Sequence, residues 1–130
     1  MKIRYLTWKE FDIAVNKIVK HFEGYPIKSI YGEPRGGLTL AVALSHRMKA
    51  PLVFTKHIRE NSLWVDDIID SKRTYLANVD KFSYHTCWVA RMNGNHYYNV
   101  ETMQSDWIVF PWEDPDFAMT DYEQYQIQSK

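Results

Sequence analysis

The chain has 130 residues, enough for one domain with a hydrophobic core and too few for two ordinary ones. Sixteen Lys and Arg balance sixteen Asp and Glu, well mixed along the chain, so net charge gives no argument for a nucleic-acid or membrane partner. A hydrophobic content of 45% excludes a disordered chain, the single Cys87 excludes an internal disulfide framework, and no signal peptide or membrane span is expected, so a reducing cytoplasm is the natural compartment.

Thr7 and Glu10 form a T-x-x-E capping box. Trp8, Phe11, Val15, Ile18 and Phe22 then recur at helical spacing, and Gly24 and Pro26 stop the helix. Ile27–Tyr31 reads as a short strand and residues 33–37 as a turn. A second helix follows through Leu38, Ala41, Leu44 and Met48 until Pro51. Leu52–Phe54 reads as the next strand, Arg59–Ser62 as a tight polar turn, and Leu63–Val65 as a third strand. A helix is predicted from Ser71 to about Phe82, and strands over His85–Arg91, Tyr97–Val100 and Trp107–Phe110. Cys87, in an apolar stretch, reads as a small buried hydrophobe. The tail from Asp116 is polar and dotted with aromatics. Alternating strands and helices predict an α/β fold with a mostly parallel sheet flanked by helices, in a single domain over residues 1–130. Ligands of such sheets bind beyond the carboxyl ends of the strands, near a topological switch point.

Two loops at such ends carry chemistry. In Leu63-Trp64-Val65-Asp66-Asp67-Ile68-Ile69-Asp70-Ser71-Lys72-Arg73-Thr74, an apolar strand delivers two adjacent carboxylates, then a third, then small and basic residues at a helix start. Carboxylates suit ribose hydroxyls or Mg²⁺. A helix N-terminus with Ser71, Lys72, Arg73 and Thr74 suits phosphate. Read blandly, Asp70 or Ser71 only caps a helix while Asp66 and Asp67 are solvated at a strand end. In the other loop, Glu33-Pro34-Arg35-Gly36-Gly37, paired glycines let backbone N–H groups converge on an anion and Arg35 adds a charged donor.

Together these segments resemble the type I phosphoribosyltransferases, closest to the bacterial-type xanthine, hypoxanthine and guanine enzymes. Residues 65–74 resemble the family's signature for phosphoribosyl pyrophosphate (PRPP), with Lys72 where the family normally has Gly. Residues 31–38 are similar to its pyrophosphate loop, which often holds a cis peptide, so one is expected near Pro34–Gly36. Trp107-Ile108-Val109-Phe110-Pro111-Trp112-Glu113 resembles the purine-binding stretch.

The resemblance implies a phosphoribosyltransferase fold with a small C-terminal base-binding hood. It implies transfer of a phosphoribosyl group from PRPP to a 6-oxopurine in purine salvage, with Mg²⁺. By the same resemblance, Arg35, Gly36 and Gly37 hold pyrophosphate. Asp66 and Asp67 hold the ribose side and the metal, and Ser71, Lys72, Arg73 and Thr74 hold the 5′-phosphate. Asp70 is the general base, while Arg91, Trp107, Ile108 and Glu113 hold the purine. Arg91 stands where the purine enzymes usually carry Lys. The family's long flexible loop is reduced here to His57–Ser62, and Val109 stands where some xanthine-using members carry an acid. The short loop and Lys72 motivate an alternative: a PRPP- or nucleotide-binding regulatory protein that keeps the fold without efficient catalysis. Aromatic richness suggests a homodimer or higher homo-oligomer.

Overall fold

The computed structural model describes residues 2–56 and 59–117. The chain divides into two compact units, one drawn from Met1–Ile13 and Ser105–Lys130 and the other from Ala14–Gln104.

In the first unit, β1 (Ile3–Tyr5) runs parallel to β7 (Trp107–Val109) in a two-stranded sheet. The segment Ile3–Tyr5 was not expected as a strand; it is too short to declare itself by alternation, and its partner lies at the far end of the sequence. Helix α1 (Trp8–His21) begins in this unit with the expected capping box. The Glu10 N–H donates to Thr7 Oγ1 at 3.1 Å and the Thr7 N–H donates to Glu10 Oε1 at 3.2 Å. Trp8, expected on the buried face, is 51% exposed, with its ring edge-on to Phe11.

The second unit holds a five-stranded, fully parallel sheet in the order β3-β2-β4-β5-β6. Its strands are β2 (Ser29–Gly32), β3 (Leu52–Val53), β4 (Arg59–Ile69), β5 (Phe82–Ala90) and β6 (Tyr98–Thr102). Helix α2 (Gly37–Met48) follows β2 and packs on β2 and β4. Helix α3 (Arg73–Asn78) follows β4 and continues into a 3-10 turn, Val79–Lys81. Trp64 and His85 are register partners on neighbouring strands and so share one sheet face, where Tyr75 of α3 packs on both. Tyr84 takes the opposite face, where Phe22 packs, beyond the buried Ala14, Val15 and Ile18 of α1. Leu63, Trp64, Val65, Cys87 and Val89 are fully buried, the pattern of central parallel strands covered on both faces. Cys87 is the buried small residue expected.

Several boundaries differ from the expectations. Residues 59–62 belong to β4 rather than to a turn; an irregularity in the pairing with β5 falls there, and Asn61 adopts φ 59°, which is the turn-like signal in an otherwise extended segment. At its other end β4 continues through both Asp66 and Asp67 to Ile69. The α-helix expected to run from Ser71 to Phe82 is shorter, because Asn78 Nδ2 donates to the Thr74 carbonyl at 2.8 Å and competes with the helical ladder. Phe82, stacked on Tyr31, already belongs to β5.

Candidate functional site

Strand order places the two chemical loops side by side. After β2 the chain goes to β3 on one side, and β4 then takes the position on β2's other side. The loops leaving the carboxyl ends of β2 and β4 therefore diverge at the switch point between two adjacent strands. Residues 33–36 leave β2 and residues 66–72 close β4, so the local sequences anticipated as a pyrophosphate loop and an acidic loop become neighbours.

The contact is close. A Cβ on Gly36 would collide with the Asp67 carboxylate, and one on Gly37 would meet the Val65 carbonyl and, at 2.9 Å, the Asp66 Cα. Gly37 requires glycine because a Cβ there would meet backbone, whereas at Gly36 the end of the Asp67 side chain would have to shift. The Glu33 N–H donates to the Val65 carbonyl at 2.8 Å and fixes the loop on β4. The expected cis peptide is present, between Pro34 and Arg35. Arg35 is exposed and Gly36 half-buried, so the loop presents its cation outward while its glycines lie against the strand.

Asp66 and Asp67 are partly buried at the end of β4. The Asp67 N–H donates to Asp66 Oδ1 at 2.8 Å, and the Ile68 N–H donates to Asp67 Oδ1 at 2.7 Å. Burial, the neighbouring Asp67 and then Glu33 push the Asp66 carboxyl up to about 9. Burial also raises Asp67, against the hydrogen bonds its carboxylate accepts. A site that disfavours its own negative charge in this way suits a cation. Adjacent hard oxygens match Mg²⁺, which binds through one or two carboxylates and completes its shell with water and substrate phosphates. Among the described residues no group of three or more His, Cys, Asp or Glu forms a closed metal cage.

Residues 66–75 line a concavity of about 260 Å³. Two larger ones, of about 420 and 430 Å³, lie elsewhere in the same unit around Phe22 and Tyr25. Neither gathers adjacent carboxylates with a cationic loop, so chemistry rather than size singles out the smaller one. On its rim, Lys72 precedes α3 at φ 63°, in the left-handed region. Ser71, Arg73 and Thr74 are exposed, and the Arg73 N–H donates to Ser71 Oγ at 3.4 Å. Asp70 is paired with Arg91, whose Nε donates to Asp70 Oδ1 at 3.2 Å while Nη1 donates to the Met103 carbonyl at 2.7 Å. Arg91 is therefore oriented by two partners of its own unit, a contact that sequence spacing did not reveal.

Trp107, Ile108 and Glu113 belong to the first unit. The Trp107 N–H donates to the Lys2 carbonyl and the Val109 carbonyl accepts from Leu6, so these alternate residues face β1. By the alternation of a parallel ladder, the Ile108 N–H and C=O project from the opposite edge of β7. Glu113 closes the Pro111 turn, with Oε1 accepting from the Phe110 N–H at 2.7 Å. Trp112 stacks on Phe110 and meets Trp8 and Phe11.

Sequence reasoning missed Glu33, Lys56 and Asn78. Glu33 is 6% exposed, and its Oε1 accepts from Lys56 Nζ at 3.1 Å and from Asn78 Nδ2 at 3.0 Å. The burial of Tyr31 and its proximity to Glu33 push the Tyr31 phenol up to about 12. Glu33 stood beside a recognisable loop, but its partners are 23 and 45 residues away, and no local signal gives them. His57 of the short β3–β4 connection lies outside the described residues, as does the tail from residue 118.

No protein-family model and no curated protein matches this chain. Solved structures do. A purine phosphoribosyltransferase from Pyrococcus horikoshii is 26% identical over 88% of this chain and 96% of its own, with a TM-score of 0.71. The xanthine-guanine-hypoxanthine phosphoribosyltransferase of Helicobacter pylori is 21% identical over 92% of this chain and 98% of its own, with a TM-score of 0.70. A hypothetical protein from Neisseria gonorrhoeae with bound ppGpp is 14% identical over 94% of this chain and 96% of its own, with a TM-score of 0.71. The mostly parallel sheet flanked by helices is the fold of the type I phosphoribosyltransferases.

Proposed function

We propose that this chain transfers a phosphoribosyl group from PRPP to a 6-oxopurine, giving the nucleoside 5′-monophosphate and pyrophosphate. The observation that carries the reading is the seating of Gly36 and Gly37 against Asp67 and Asp66 at the switch point, which supports reading the glycine-rich loop and the adjacent carboxylates as parts of one site. Likeness in fold to purine phosphoribosyltransferases supports the reaction class. The restriction to a 6-oxopurine, whether hypoxanthine, guanine or xanthine, rests on the sequence resemblance alone.

In this reading Arg35 and the amides of Gly36 and Gly37 hold the leaving pyrophosphate. Asp66 and Asp67 would take the ribose hydroxyls and would be the residues to hold Mg²⁺, which would supply positive charge against the charge that develops on the departing pyrophosphate. Ser71, Lys72, Arg73 and Thr74 take the 5′-phosphate. The bond from the anomeric carbon to the pyrophosphate oxygen breaks, carrying its electron pair to pyrophosphate. The carboxylates stabilise the oxocarbenium-like carbon electrostatically. A purine ring nitrogen supplies the new bond, and a purine N–H proton near N7 passes to Asp70, which Arg91 holds in place. Trp107 stacks on the purine, Ile108 bonds its edge through the backbone, and Arg91 and Glu113 complete the base contacts; these four roles are carried by the resemblance. The chain works in the cytoplasm in purine salvage, as a homodimer or higher homo-oligomer. Among the described residues no helix is long and apolar enough to cross a membrane.

The test is pyrophosphate release from PRPP and Mg²⁺ with each of hypoxanthine, guanine, xanthine, adenine and the pyrimidine bases. Release with a 6-oxopurine is expected, and Asp70→Asn should slow it roughly 10²–10⁴-fold while PRPP affinity holds. Binding of PRPP or a nucleotide with no release from any base would replace this reading by the regulatory one. The very short β3–β4 connection favours that second reading, because it leaves few residues to close over the site.

A further inference from the structure

Glu33 opens the glycine-rich loop, and none of the roles above uses it. It is a carboxylate at 6% exposure, and burial of such a group requires compensating partners. It has them from three segments. Lys56 Nζ, from the stretch after β3, lies 3.1 Å from Oε1. Asn78 Nδ2, at the end of α3, lies 3.0 Å from the same oxygen. Tyr31 of β2 places its hydroxyl 3.5 Å from Oε2. The backbone of Glu33 is fixed as well: its N–H donates to Val65 of β4, and its carbonyl accepts from the Gly37 N–H at 2.8 Å.

Asn78 extends the connection. It is 2% exposed, and the same Nδ2 donates to the Thr74 carbonyl at 2.8 Å. One carboxylate is thus linked to the glycine-rich loop by its own backbone, to the start of the β3–β4 connection by an ion pair, and to the first turn of α3 through Asn78. Lys56 also neutralises Glu33, so a loop suited to anions does not carry an uncompensated carboxylate at its root.

We infer that Glu33 is a positioning residue, a buried brace that fixes the glycine-rich loop relative to the turn beginning α3 and to the start of the β3–β4 connection. The brace is a property of the free protein. What it positions, a pyrophosphate group and a 5′-phosphate, rests on the function proposed above.

Amide hydrogen exchange on the full chain without ligand tests the brace itself. Glu33→Ala is expected to speed exchange in both residues 35–37 and residues 73–78 while leaving β1 and β7 unchanged. Glu33→Gln keeps an acceptor oxygen for Asn78 and is expected to restore protection at 73–78. Asn78→Ala is expected to loosen residues 35–37, although they lie far away in sequence. Loosening confined to the substituted segment in both alanine variants would overturn the inference. Should Glu33→Ala fail to fold, Asn78→Ala and Lys56→Met carry the same comparison, and unchanged exchange at 35–37 in both would overturn it. Calorimetry with inorganic pyrophosphate forms the second arm, with affinity expected to fall roughly 10- to 100-fold in Glu33→Ala and to recover partly in Glu33→Gln. Pyrophosphate binding that is equal in the parent and in Glu33→Ala would also overturn the brace. Failure of the parent itself to bind pyrophosphate would count against the proposed function and leave the exchange result to decide on the brace.

Discussion

Lys72 holds a left-handed backbone conformation, φ 63° and ψ −1°, at the residue preceding α3. An L-residue there costs roughly 1–2 kcal/mol, from which the greater unfolded-state freedom of glycine must be subtracted. Lys72→Gly should therefore stabilise the fold by about 0.5–1 kcal/mol, measurable as a higher urea midpoint with an unchanged slope. The residue type gave no hint of this geometry, and the resemblance marked the position only as one that is normally Gly. Asp66 makes a second prediction. Its folded pKa, about 9, lies above the roughly 3.9 of an unfolded aspartate. Between those values the folded state binds more protons than the unfolded one, so stability falls as pH rises through that window. Asp66→Asn should flatten this slope and raise stability at pH 8 by about 1–3 kcal/mol, with a residual slope from Asp67, whose carboxyl is also raised. Melting temperatures from pH 5 to pH 9 would check it, and an unchanged slope would remove the electrostatic account of the site.

At the scale of elements, the strongest signals were those whose determinants are local. The capping box of α1 formed as read, because Thr7 and Glu10 are three residues apart and need nothing else. Thr7→Ala should cost about 1 kcal/mol, read from chemical denaturation. Strands β2, β5 and β7 were legible from apolar β-type runs within a few residues of their true ends. Where the reading failed, a distant partner decided. Strand β1 exists through its pairing with β7, and α3 ends where Asn78 turns its amide to Glu33 and Thr74. The acidic motif was legible as a motif, yet its placement inside β4 rather than in a loop follows from pairing with β5, where Asp66 stands opposite Cys87.

For the whole molecule, the alternation of strands and helices was enough to give an α/β fold with a parallel sheet, and strand order supplied what no local window contains. The order β3-β2-β4-β5-β6 makes β2 and β4 neighbours, and that adjacency turns the loop after β2 and the acidic end of β4, some thirty residues apart, into one candidate site. The sequence named Arg35, Gly36, Gly37, Asp66 and Asp67 without showing that Gly36 lies against the Asp67 carboxylate. The most direct test of the account is therefore a calorimetric titration of PRPP, with and without Mg²⁺, into the parent chain and into Gly36→Ala, whose added methyl would collide with Asp67. The account predicts Mg²⁺-dependent binding at one site per chain in the parent and at least a roughly tenfold loss in the folded variant. No binding of PRPP by the folded parent, or equal binding by both proteins, would contradict it.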